Sequence, residues 1–274
     1  IWYDVKEQAG DTRFTGYGSL TGTGTLAAII VDGERAETLA SAGQAELVFS
    51  ETPFYAESGG QAGDHGEIVF RDGVRFVVRD VVKRAGSIHA HVGELVGGDI
   101  ALGDTAELKV NAGRRARIMA NHSATHLVHA ALRDTLGEHV TQKGSLVEED
   151  RMRFDFSHGA PMTPAEIEAV EDQVNTVIRQ NVEVGVAVTS PKKAIEAGAL
   201  ALFGEKYGDE VRVLTMGEAL DDGDAPYSVE LCGGTHVERT GDIALFVILS
   251  ESGVSAGVRR IEVATGAEAV AFLR

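Results

Sequence analysis

The sequence predicts an α+β fold, in which a small antiparallel β-barrel precedes a core with a long central helix on a mostly antiparallel sheet. Short strands separated by tight turns fill the chain up to about residue 110, without a segment typical of a helix. Strands and helices then follow one another without a strict strand–helix–strand repeat, which favours α+β over a parallel α/β fold. We predict a linker or lead-in segment at 1–24, the barrel at 25–110 and the core at 111–274.

Two aspartate–glycine pairs mark hairpin turns in the predicted barrel. Asp32-Gly33 and Asp72-Gly73 each separate two apolar runs, and this dipeptide suits the positive φ angles of a tight β-turn. Further short runs, SIHAHVGEL and AELKV, add strands after the second turn. Several strands of this length with tight connections predict a closed or nearly closed antiparallel sheet.

A glycine-rich stretch, AESGGQAGDHG at 56–66, interrupts the barrel strands. Its composition is typical of an ordinary surface loop. Gly59, Gly60 and Gly63 would also let the backbone approach a ligand closely, because they lack a Cβ atom. The stretch is not a phosphate-binding loop, since no Lys-Ser/Thr pair follows it.

A helix over 113–136 is the centre of the predicted core. It is apolar on almost all sides and is followed by Gly137 as a C-cap, so we expect it to be buried. Arg114, Arg115 and Arg117 crowd its first turn, where positive charge opposes the helix dipole at roughly a few tenths of a kcal/mol each. This arrangement fits a contact with phosphate, and it fits a solvated charged turn as well.

The remaining core elements are predicted from local patterns. Segments 138–147 and 151–158 read as paired strands, and apolar residues alternate with charged ones in the second. Thr163 and Glu166 form a capping box that begins a helix running to about Gln180. Later elements are predicted in this order: a strand in VEVGVAV, a short helix after Ser190, and strands in VRVLTM, ALFVILSE and VRRIEVATG.

Two pairs of residues have the spacing of metal ligands. His122 and His126 are four apart in the predicted helix and so lie on one face, and Cys232 and His236 repeat this spacing around the single cysteine. Two histidines from one segment and a cysteine and a histidine from the other make a set of four nitrogen and sulfur donors, which suits tetrahedral zinc. A zinc-peptidase site is excluded, because Ser123 stands where that motif requires glutamate after the first histidine.

Composition limits the classes of protein to consider. The chain has 274 residues and a formal charge of −17, which is unusual for a nucleic-acid-binding protein. One cysteine excludes a disulfide framework and fits a reducing cytoplasm, and no apolar run is long enough for a membrane span. The chain starts at Ile1 and stops within a helix-like segment, so we expect a piece of a longer protein.

The two metal motifs, the glycine-rich stretch, QKGS at 142–145 and RFDFSH at 153–158 occur together over nearly the whole chain. In this combination the sequence resembles the editing domain of the bacterial alanyl-tRNA synthetase family. The editing domain of threonyl-tRNA synthetases is similar in the metal motifs but not in the glycine-rich stretch or in CGGTH. Free-standing alanyl editing proteins share both of these features.

The resemblance implies hydrolysis of the ester that joins a wrong amino acid, serine or glycine, to the acceptor end of tRNA(Ala). A second site is needed for this task, because a pocket for alanine cannot strongly reject glycine or an analogue that only adds a hydroxyl. Zinc would be the cofactor, either activating water or, with all four ligands kept, orienting the substrate. The remaining domains of a parent synthetase would be partners, and no membrane would be involved.

The resemblance also implies roles for residues beyond the metal ligands. Gln142 would form a hydrogen bond near the ester, although an ordinary strand-end amide explains it too. Thr52 would meet the hydroxyl of serine, although its β-propensity alone suits a strand. Cys232 would serve in catalysis as well as in metal binding. The implied substrate contacts are Gly59, Gly60, Gln61, Arg114 and Arg115.

Two other functions stay open at this point. A module that binds tRNA or protein around a purely structural zinc would carry the same ligand pairs. A free-standing alanyl-tRNA editing protein would share the motifs as well. Hydrolysis of serine-charged tRNA separates the enzyme from the binding module.

Overall fold

The structure, a computed structural model, describes residues 1–201, 208–221 and 223–274. The chain groups into two compact units. Unit 1 contains Ile1–Ser58 and Ala62–Arg115, and unit 2 contains Gly59–Gln61 and Ala116–Arg274. The tip of the glycine-rich stretch thus groups with unit 2 and its flanks with unit 1. The domain boundaries drawn from the sequence stay a prediction.

Unit 1 is built mainly from short strands. Its elements are α1 (Trp2–Ala9), β1 (Arg13–Phe14), β2 (Thr21–Val31), β3 (Glu34–Ala36), β4 (Thr38–Leu39), β5 (Gln44–Phe49), β6 (Glu51–Thr52), β7 (Gly66–Val69), β8 (Arg75–Arg84), β9 (Ile88–Val96), β10 (Ile100–Ala101) and β11 (Thr105–Val110). A 3₁₀ turn at Arg71–Gly73 connects β7 and β8. Both predicted Asp-Gly turns are confirmed, because β2 pairs with β3 and β7 pairs with β8 across them.

Six strands close into the predicted barrel. Their order is β11-β7-β8-β9-β5-β2, and β11 pairs antiparallel with both β7 and β2. Alternate residues of β11 point inwards and are buried, as expected for a strand with one face on a core. The barrel interior is apolar and contains Leu26, Ile29, Leu47, Phe49, Phe54, Ile68, Phe76, Val81, Leu95 and Leu108.

Helix α1 lies on the barrel, within the segment where the sequence suggests a linker. Its Val5 is fully buried against Ala28, Ile30, Val48 and Ile88. These partners alternate along their strands with residues of the barrel interior, so the helix covers the outer surface. The scattered apolar residues of this short helix do not predict it from the sequence.

Unit 2 combines helices with two sheets. Its elements are most of α2 (Ala112–Leu136), β12 (Gln142–Val147), β13 (Met152–Ser157), α3 (Pro164–Gln180), β14 (Gly185–Thr189), α4 (Pro191–Glu196), β15 (Val211–Glu218), β16 (Pro226–Leu231), β17 (Phe246–Ser255), β18 (Val258–Thr265) and α5 (Gly266–Phe272). The predicted long helix and the capping box of α3 are confirmed. The class is α+β, as predicted.

The strands of unit 2 form two sheets, where the sequence predicts a single mostly antiparallel one. One sheet has the order β12-β13-β18-β17 and the other β14-β15-β16, and the pairings between these strands are antiparallel. Sequence patterns identify the strands but not which strands pair, because pairing depends on contacts between distant segments. The patterns therefore do not distinguish two sheets from one.

Side chains of α2 contact both sheets of unit 2. Asn121 donates to the carbonyl of Glu148 at 2.8 Å and accepts from the hydroxyl of Thr265 at 2.7 Å, beside the four-stranded sheet. On the other side, the imidazole of His129 bonds to Glu230 at the end of β16. The helix is therefore held with its histidine face at the end of β16. No helix in the described part of the chain is both long and apolar enough to cross a bilayer.

Candidate metal centre

Four donor atoms from two segments lie together in unit 2. The ligand atoms of His122, His126, Cys232 and His236 all lie within 4.8 Å of one another, a group that could hold a metal ion. The first three residues are buried, whereas His236 is partly exposed. The structure thus brings together the residues that the sequence selects as metal ligands.

Each pair of donors has a local structural cause. His122 and His126 are one turn apart on α2, and their rings are stacked with centroids 5.4 Å apart. The loop that follows β16 carries the other pair and passes close to the helix at Gly234. A Cβ atom at Gly234 would lie 2.1 Å from Cε1 of His122 and 2.8 Å from Oε1 of Gln61. Only glycine therefore allows this approach.

The distances between donors fit a tetrahedral site. Sγ of Cys232 is 3.5 Å from Nε2 of His122 and 3.2 Å from Nε2 of His236. Ligands about 2.1 and 2.3 Å from a tetrahedral zinc lie about 3.6 Å apart. Nε2 of His126 is buried without a hydrogen-bond partner among the residues described, and a metal would satisfy it.

Gln61 orients the imidazole of His122. Its Oε1 accepts a hydrogen bond from Nδ1 of His122 at 2.7 Å and another from the backbone N–H of Thr235 at 2.9 Å. Its Nε2 donates to the hydroxyl of Thr235 at 2.8 Å, and the side chain is fully buried. Because an amide oxygen only accepts, Nδ1 of His122 carries the proton and Nε2 keeps its lone pair for a metal.

Glu230 orients the imidazole of His126. One carboxylate oxygen accepts from Nδ1 of His126, and the other accepts from Nδ1 of His129 at 2.5 Å. All three side chains are buried. Residues two apart along an extended chain share a face, so the end of β16 brings Glu230 and Cys232 to the same helix. A carboxylate behind a histidine strengthens the other ring nitrogen as a ligand.

Ser123 stands behind the third imidazole. Its Oγ lies 3.2 Å from Nδ1 of His236 and accepts the backbone N–H of Val237 at 3.1 Å. A helix residue next to one ligand thus supports another ligand more than a hundred positions away. Each of the three imidazoles accordingly has a polar group on Nδ1.

The charges of the cluster favour the metal-binding form of cysteine. Burial raises the pKa of the Cys232 thiol, but the imidazoles around it, His122 foremost, lower it well below its usual range. Burial lowers the pKa of His126, but the Glu230 carboxylate and the Cys232 thiolate outweigh it and raise the value to about 10. The thiolate is the species that binds metals.

Two of the three glycines predicted to approach a ligand pack closely against strands: Gly60 against β12, and Gly63 against Val81 in β8. Gly60 has a φ of 84°, and a Cβ atom there would lie 2.6 Å from the carbonyl oxygen of Ser145. Its own carbonyl accepts the N–H of Val147 at 2.7 Å. Gly59 also has a positive φ, of 57°. The close approach at Gly60 places the neighbouring Gln61 beside Val147 of β12, and substrate contact by Gly59 and Gly60 stays a prediction.

The two predicted catalytic residues outside the cluster have partners of their own. Gln142 begins β12, is half-buried and donates to Oγ of Ser145 at 3.3 Å. Thr52, in unit 1, is fully buried, and its hydroxyl bonds Nε2 of His91 at 2.8 Å. A contact between Thr52 and a serine substrate would have to replace that bond. Both catalytic roles stay predictions.

Arg114 and Arg115 lie in unit 1, and they differ in their surroundings. Arg115 is buried, and its guanidinium pairs with Asp64 and donates to the carbonyls of Gly16 and Pro53, each at 2.9 Å. Arg114 is half-buried and donates to the carbonyl of Gly63 at 2.6 Å. A phosphate contact by Arg115 would have to compete with Asp64, so Arg114 is the more accessible of the two predicted tRNA contacts.

Sequence reasoning does not find the groups that support the histidines. Ser123 and Glu230 carry only a weak signal, since each is a polar residue beside a ligand in a segment expected to be buried. Gln61 is expected to contact substrate, whereas in the structure it contacts His122 and Thr235. The distance along the chain between these partners hides them from pattern analysis.

Two parts of the chain match known families. Residues 2–114 match "tRNA synthetases class II (A)", and residues 211–262 match "Threonyl and Alanyl tRNA synthetase second additional domain". Cys232 and His236 lie in the second match, and His122 and His126 lie between the two. These matches define the chain as sequence of the class II aminoacyl-tRNA synthetases.

Individual relatives narrow the class. The chain is 69% identical to the alanine–tRNA ligase of Hyphomonas neptunium and 57% identical to that of Rhizorhabdus wittichii, each over 274 residues. It is 56% identical to the ligase of Caulobacter vibrioides over 273 residues. The chain belongs to the alanyl-tRNA synthetase family. The alignments cover at least 99% of this chain and 31% of each relative, so the chain spans about a third of their length.

Proposed function

We propose that this chain is an editing module of an alanine–tRNA ligase and hydrolyses the ester of tRNA(Ala) charged with serine or glycine. The four-donor cluster carries the proposal, because two of its members lie in the segment similar to the second additional domain of threonyl and alanyl synthetases. The substrate is the acceptor end of the tRNA, and the remaining domains of the ligase are its partners. We propose a cytoplasmic location, because translation takes place there.

Zinc is the metal that we propose for His122, His126, Cys232 and His236. Three imidazoles and a thiolate are the donors that zinc prefers in proteins, and the distances between them suit a tetrahedron. When bound, zinc supplies Lewis-acid chemistry for ester hydrolysis, by polarising a carbonyl group or by lowering the pKa of water. The protein contributes imidazoles that are oriented in advance and a cysteine in its thiolate form.

Other residues of the chain would bind and orient the substrate. Gln142 has an amide within a half-buried strand end and would hydrogen-bond to the ester. Gly59 and Gly60 would hold the loop that carries Gln61, and Arg114 would contact the tRNA backbone. We assign Thr52 the weakest part, because its hydroxyl is enclosed with His91.

Affinity for tRNA should come mainly from the rest of the ligase. The chain carries a formal charge of −17, and phosphate contacts supply most non-specific affinity for nucleic acids. Several basic residues are already paired with carboxylates: Arg84 with Glu46, Arg115 with Asp64, Arg117 with Glu149 and Lys192 with Glu196. We therefore expect this chain to bind tRNA weakly. Compared with the complete ligase, its KM should be raised more than its kcat is lowered, because remote contacts stabilise ground and transition states alike. Submicromolar binding at physiological salt would contradict this expectation.

A deacylation assay tests the proposal. The chain, loaded with zinc, should release serine from Ser-tRNA(Ala) and leave Ala-tRNA(Ala) largely intact. Cys232→Ala should lower the rate by more than the roughly 10- to 100-fold that follows the loss of an outer partner of a metal ligand. The melting temperature of the same variant, measured in parallel, separates lost chemistry from lost folding.

The alternative is a binding module with a structural metal. Four protein ligands are typical of closed structural sites, so this observation favours it. In that case zinc would be present at one equivalent, and wild type would release no serine.

Deacylation by wild type with unchanged activity in a folded Cys232→Ala variant would place the chemistry elsewhere in the chain. A free-standing editing protein would act in the same assay without the help of other ligase domains.

A further inference from the structure

We propose that His236 is the exchangeable ligand of the metal centre, the one donor that leaves so that an incoming group can take its position. The inference rests on the metal centre of the proposed function and concerns the protein residues that hold the three imidazoles. A metal with four protein ligands has no open position for substrate unless one ligand leaves. Catalytic zinc sites typically have three protein ligands and one open position.

The three imidazoles differ in the group that contacts Nδ1. His126 is backed by the carboxylate of Glu230, His122 by the amide oxygen of Gln61 and His236 by the hydroxyl of Ser123. A stronger acceptor on Nδ1 makes Nε2 a better ligand, and charged acceptors act more strongly than neutral ones. A hydroxyl is the weakest of these three acceptors.

His236 also has a long contact to its supporting group. The Nδ1–Oγ distance between His236 and Ser123 is 3.2 Å, whereas Nδ1 of His122 lies 2.7 Å from Oε1 of Gln61. Oγ of Ser123 also accepts the N–H of Val237, so its lone pairs are shared. Both features weaken the support of His236 further.

His236 also differs from the other donors in its exposure and in the element that carries it. His122, His126 and Cys232 are buried, and only His236 among the four donors is partly exposed. His122 and His126 belong to a 25-residue helix, whereas His236 lies in a loop outside the helices and strands of unit 2. The backbone on either side of His236 is held, by Thr235 to Gln61 and by Val237 to Ser123. Because the backbone is held on both sides, departure of the ring would require rotation of the His236 side chain and not movement of the loop.

Removal of His236 would leave His122, His126 and Cys232. Two imidazoles and a thiolate are a sufficient set for an open site, and the two imidazoles that remain are the better supported ones. The position that opens would face the partly exposed side of the cluster. An amino group or oxygen atom of an aminoacyl ester is the kind of donor that would enter there.

Cobalt binding tests the assignment without any activity measurement. We would compare His236→Gly with His122→Gly and His126→Gly, using Co²⁺ as the probe and a chromophoric chelator as the competitor. We expect His236→Gly to keep Co²⁺ with an affinity about 10- to 100-fold below wild type, and the helix variants to lose considerably more. Added imidazole should restore the visible absorption of wild type in His236→Gly and not in the other two. Circular dichroism of each variant shows whether the helices are intact.

A second set of variants keeps the test decisive if a ligand variant fails to fold. Ser123→Ala weakens the support of His236 but leaves all four donors in place, and Gln61→Leu is its matched control at His122. Cobalt-loaded Ser123→Ala should bind azide more tightly than wild type by about 10-fold, with a smaller change in Gln61→Leu. Equal loss of Co²⁺ in the three glycine variants, rescue of all three by imidazole, or azide binding unaffected by Ser123→Ala would each overturn the proposal.

The outcomes also separate this proposal from the proposed function. Failure of wild type to bind one equivalent of metal would remove the metal centre itself, before any variant is compared. If the variants bind metal with the expected order of affinities but wild type does not deacylate tRNA, the proposed enzymatic function is wrong. The assignment of His236 as the exchangeable ligand is then still supported. Deacylation with the reverse order of affinities would sink only the assignment of His236.

Discussion

Gln61 and His122 form a buried pair in which an amide fixes the tautomer of an imidazole, with Oε1 and Nδ1 2.7 Å apart. The same amide oxygen accepts the backbone N–H of Thr235, and the amide nitrogen donates to its hydroxyl. One side chain of the glycine-rich loop thereby ties a helix ligand to the CGGTH loop. Through this residue the loop is part of the metal centre.

Replacement of Gln61 by leucine should weaken metal binding. Leucine leaves the N–H of Thr235 and Nδ1 of His122 without an acceptor, so we expect a 10- to 100-fold loss of zinc affinity and a loss of stability of about 1–3 kcal/mol. Gln61→Glu keeps both acceptor functions and should bind zinc within a few-fold of wild type. Competition with a zinc chelator measures both variants. Equal affinities for Gln61→Leu and wild type would show that His122 needs no partner.

Gly233 and Gly234 provide a matched pair of substitutions. A Cβ atom at Gly234 would meet the ring of His122 at 2.1 Å, whereas one at Gly233 would have no heavy atom within 4 Å. We therefore expect Gly234→Ala to abolish high-affinity metal binding and Gly233→Ala to leave it nearly unchanged. Zinc content after gel filtration, with thermal melting of both proteins, checks this. Similar zinc content in the two variants would mean that the loop can move away from the helix.

The ion pair between Asp64 and Arg115 should be important for the stability of unit 1. Both side chains are 1% exposed, and removal of one partner of a buried pair typically costs about 3–5 kcal/mol because the other charge is left unpaired. Asp64→Asn should therefore lower the free energy of unfolding by about that amount. Glu51→Gln, in the exposed pair with Arg13, should cost at most about 1 kcal/mol. Urea unfolding followed by circular dichroism measures both, and equal small losses would contradict a buried pair.

The barrel should lose stability in mild acid through His91. Burial is the main cause that lowers the pKa of His91 to about 4, against 6.5 for an exposed histidine. The unfolded chain thus binds this proton at a higher pH than the folded chain. The stabilising contribution of the neutral ring is complete above pH 6.5 and is lost as the pH falls towards 4, by roughly 3 kcal/mol in total. An NMR titration should show the ring of His91 still neutral at pH 5.5, and a midpoint near 6.5 would refute its burial.

The metal donors could be predicted from the sequence, whereas the groups behind them could not. The spacing of His122 and His126 in a predicted helix indicates a ligand pair. The single cysteine, Cys232, indicates a second pair because His236 follows it at the same spacing. Gln61 lies 61 positions before His122 and 174 before Thr235, so no local pattern relates them. In the sequence Glu230 resembles an ordinary strand residue, whereas in the structure it bonds to His126 and His129. Hydrogen bonds between distant segments depend on tertiary structure, which periodicity and spacing do not contain.

The barrel and the helices show the same division. The Asp-Gly turns and the capping box at Thr163 are local devices, and each is found where the sequence predicts it. The packing of Val5 on the barrel and the separation of the later strands into two sheets are not local. Arg115 is the clearest case, since a charged residue in a basic cluster suggests a phosphate contact, whereas in the structure it is buried against a carboxylate.

His122 and Cys232 stand 110 positions apart in the chain, and this separation sets an order of events during synthesis. At about 5–20 residues per second, a ribosome needs roughly 6 to 20 s to add Cys232 after His122. In that interval the growing chain has two adjacent imidazoles but not the thiolate, so it can hold a metal only loosely. Once in place, the ion joins the two ends of this long segment like a cross-link, which favours the folded chain over the unfolded one. If the cluster binds zinc as proposed, metal capture is a late step of folding, and a cell short of zinc would accumulate chains in which both halves of the site are made but not joined.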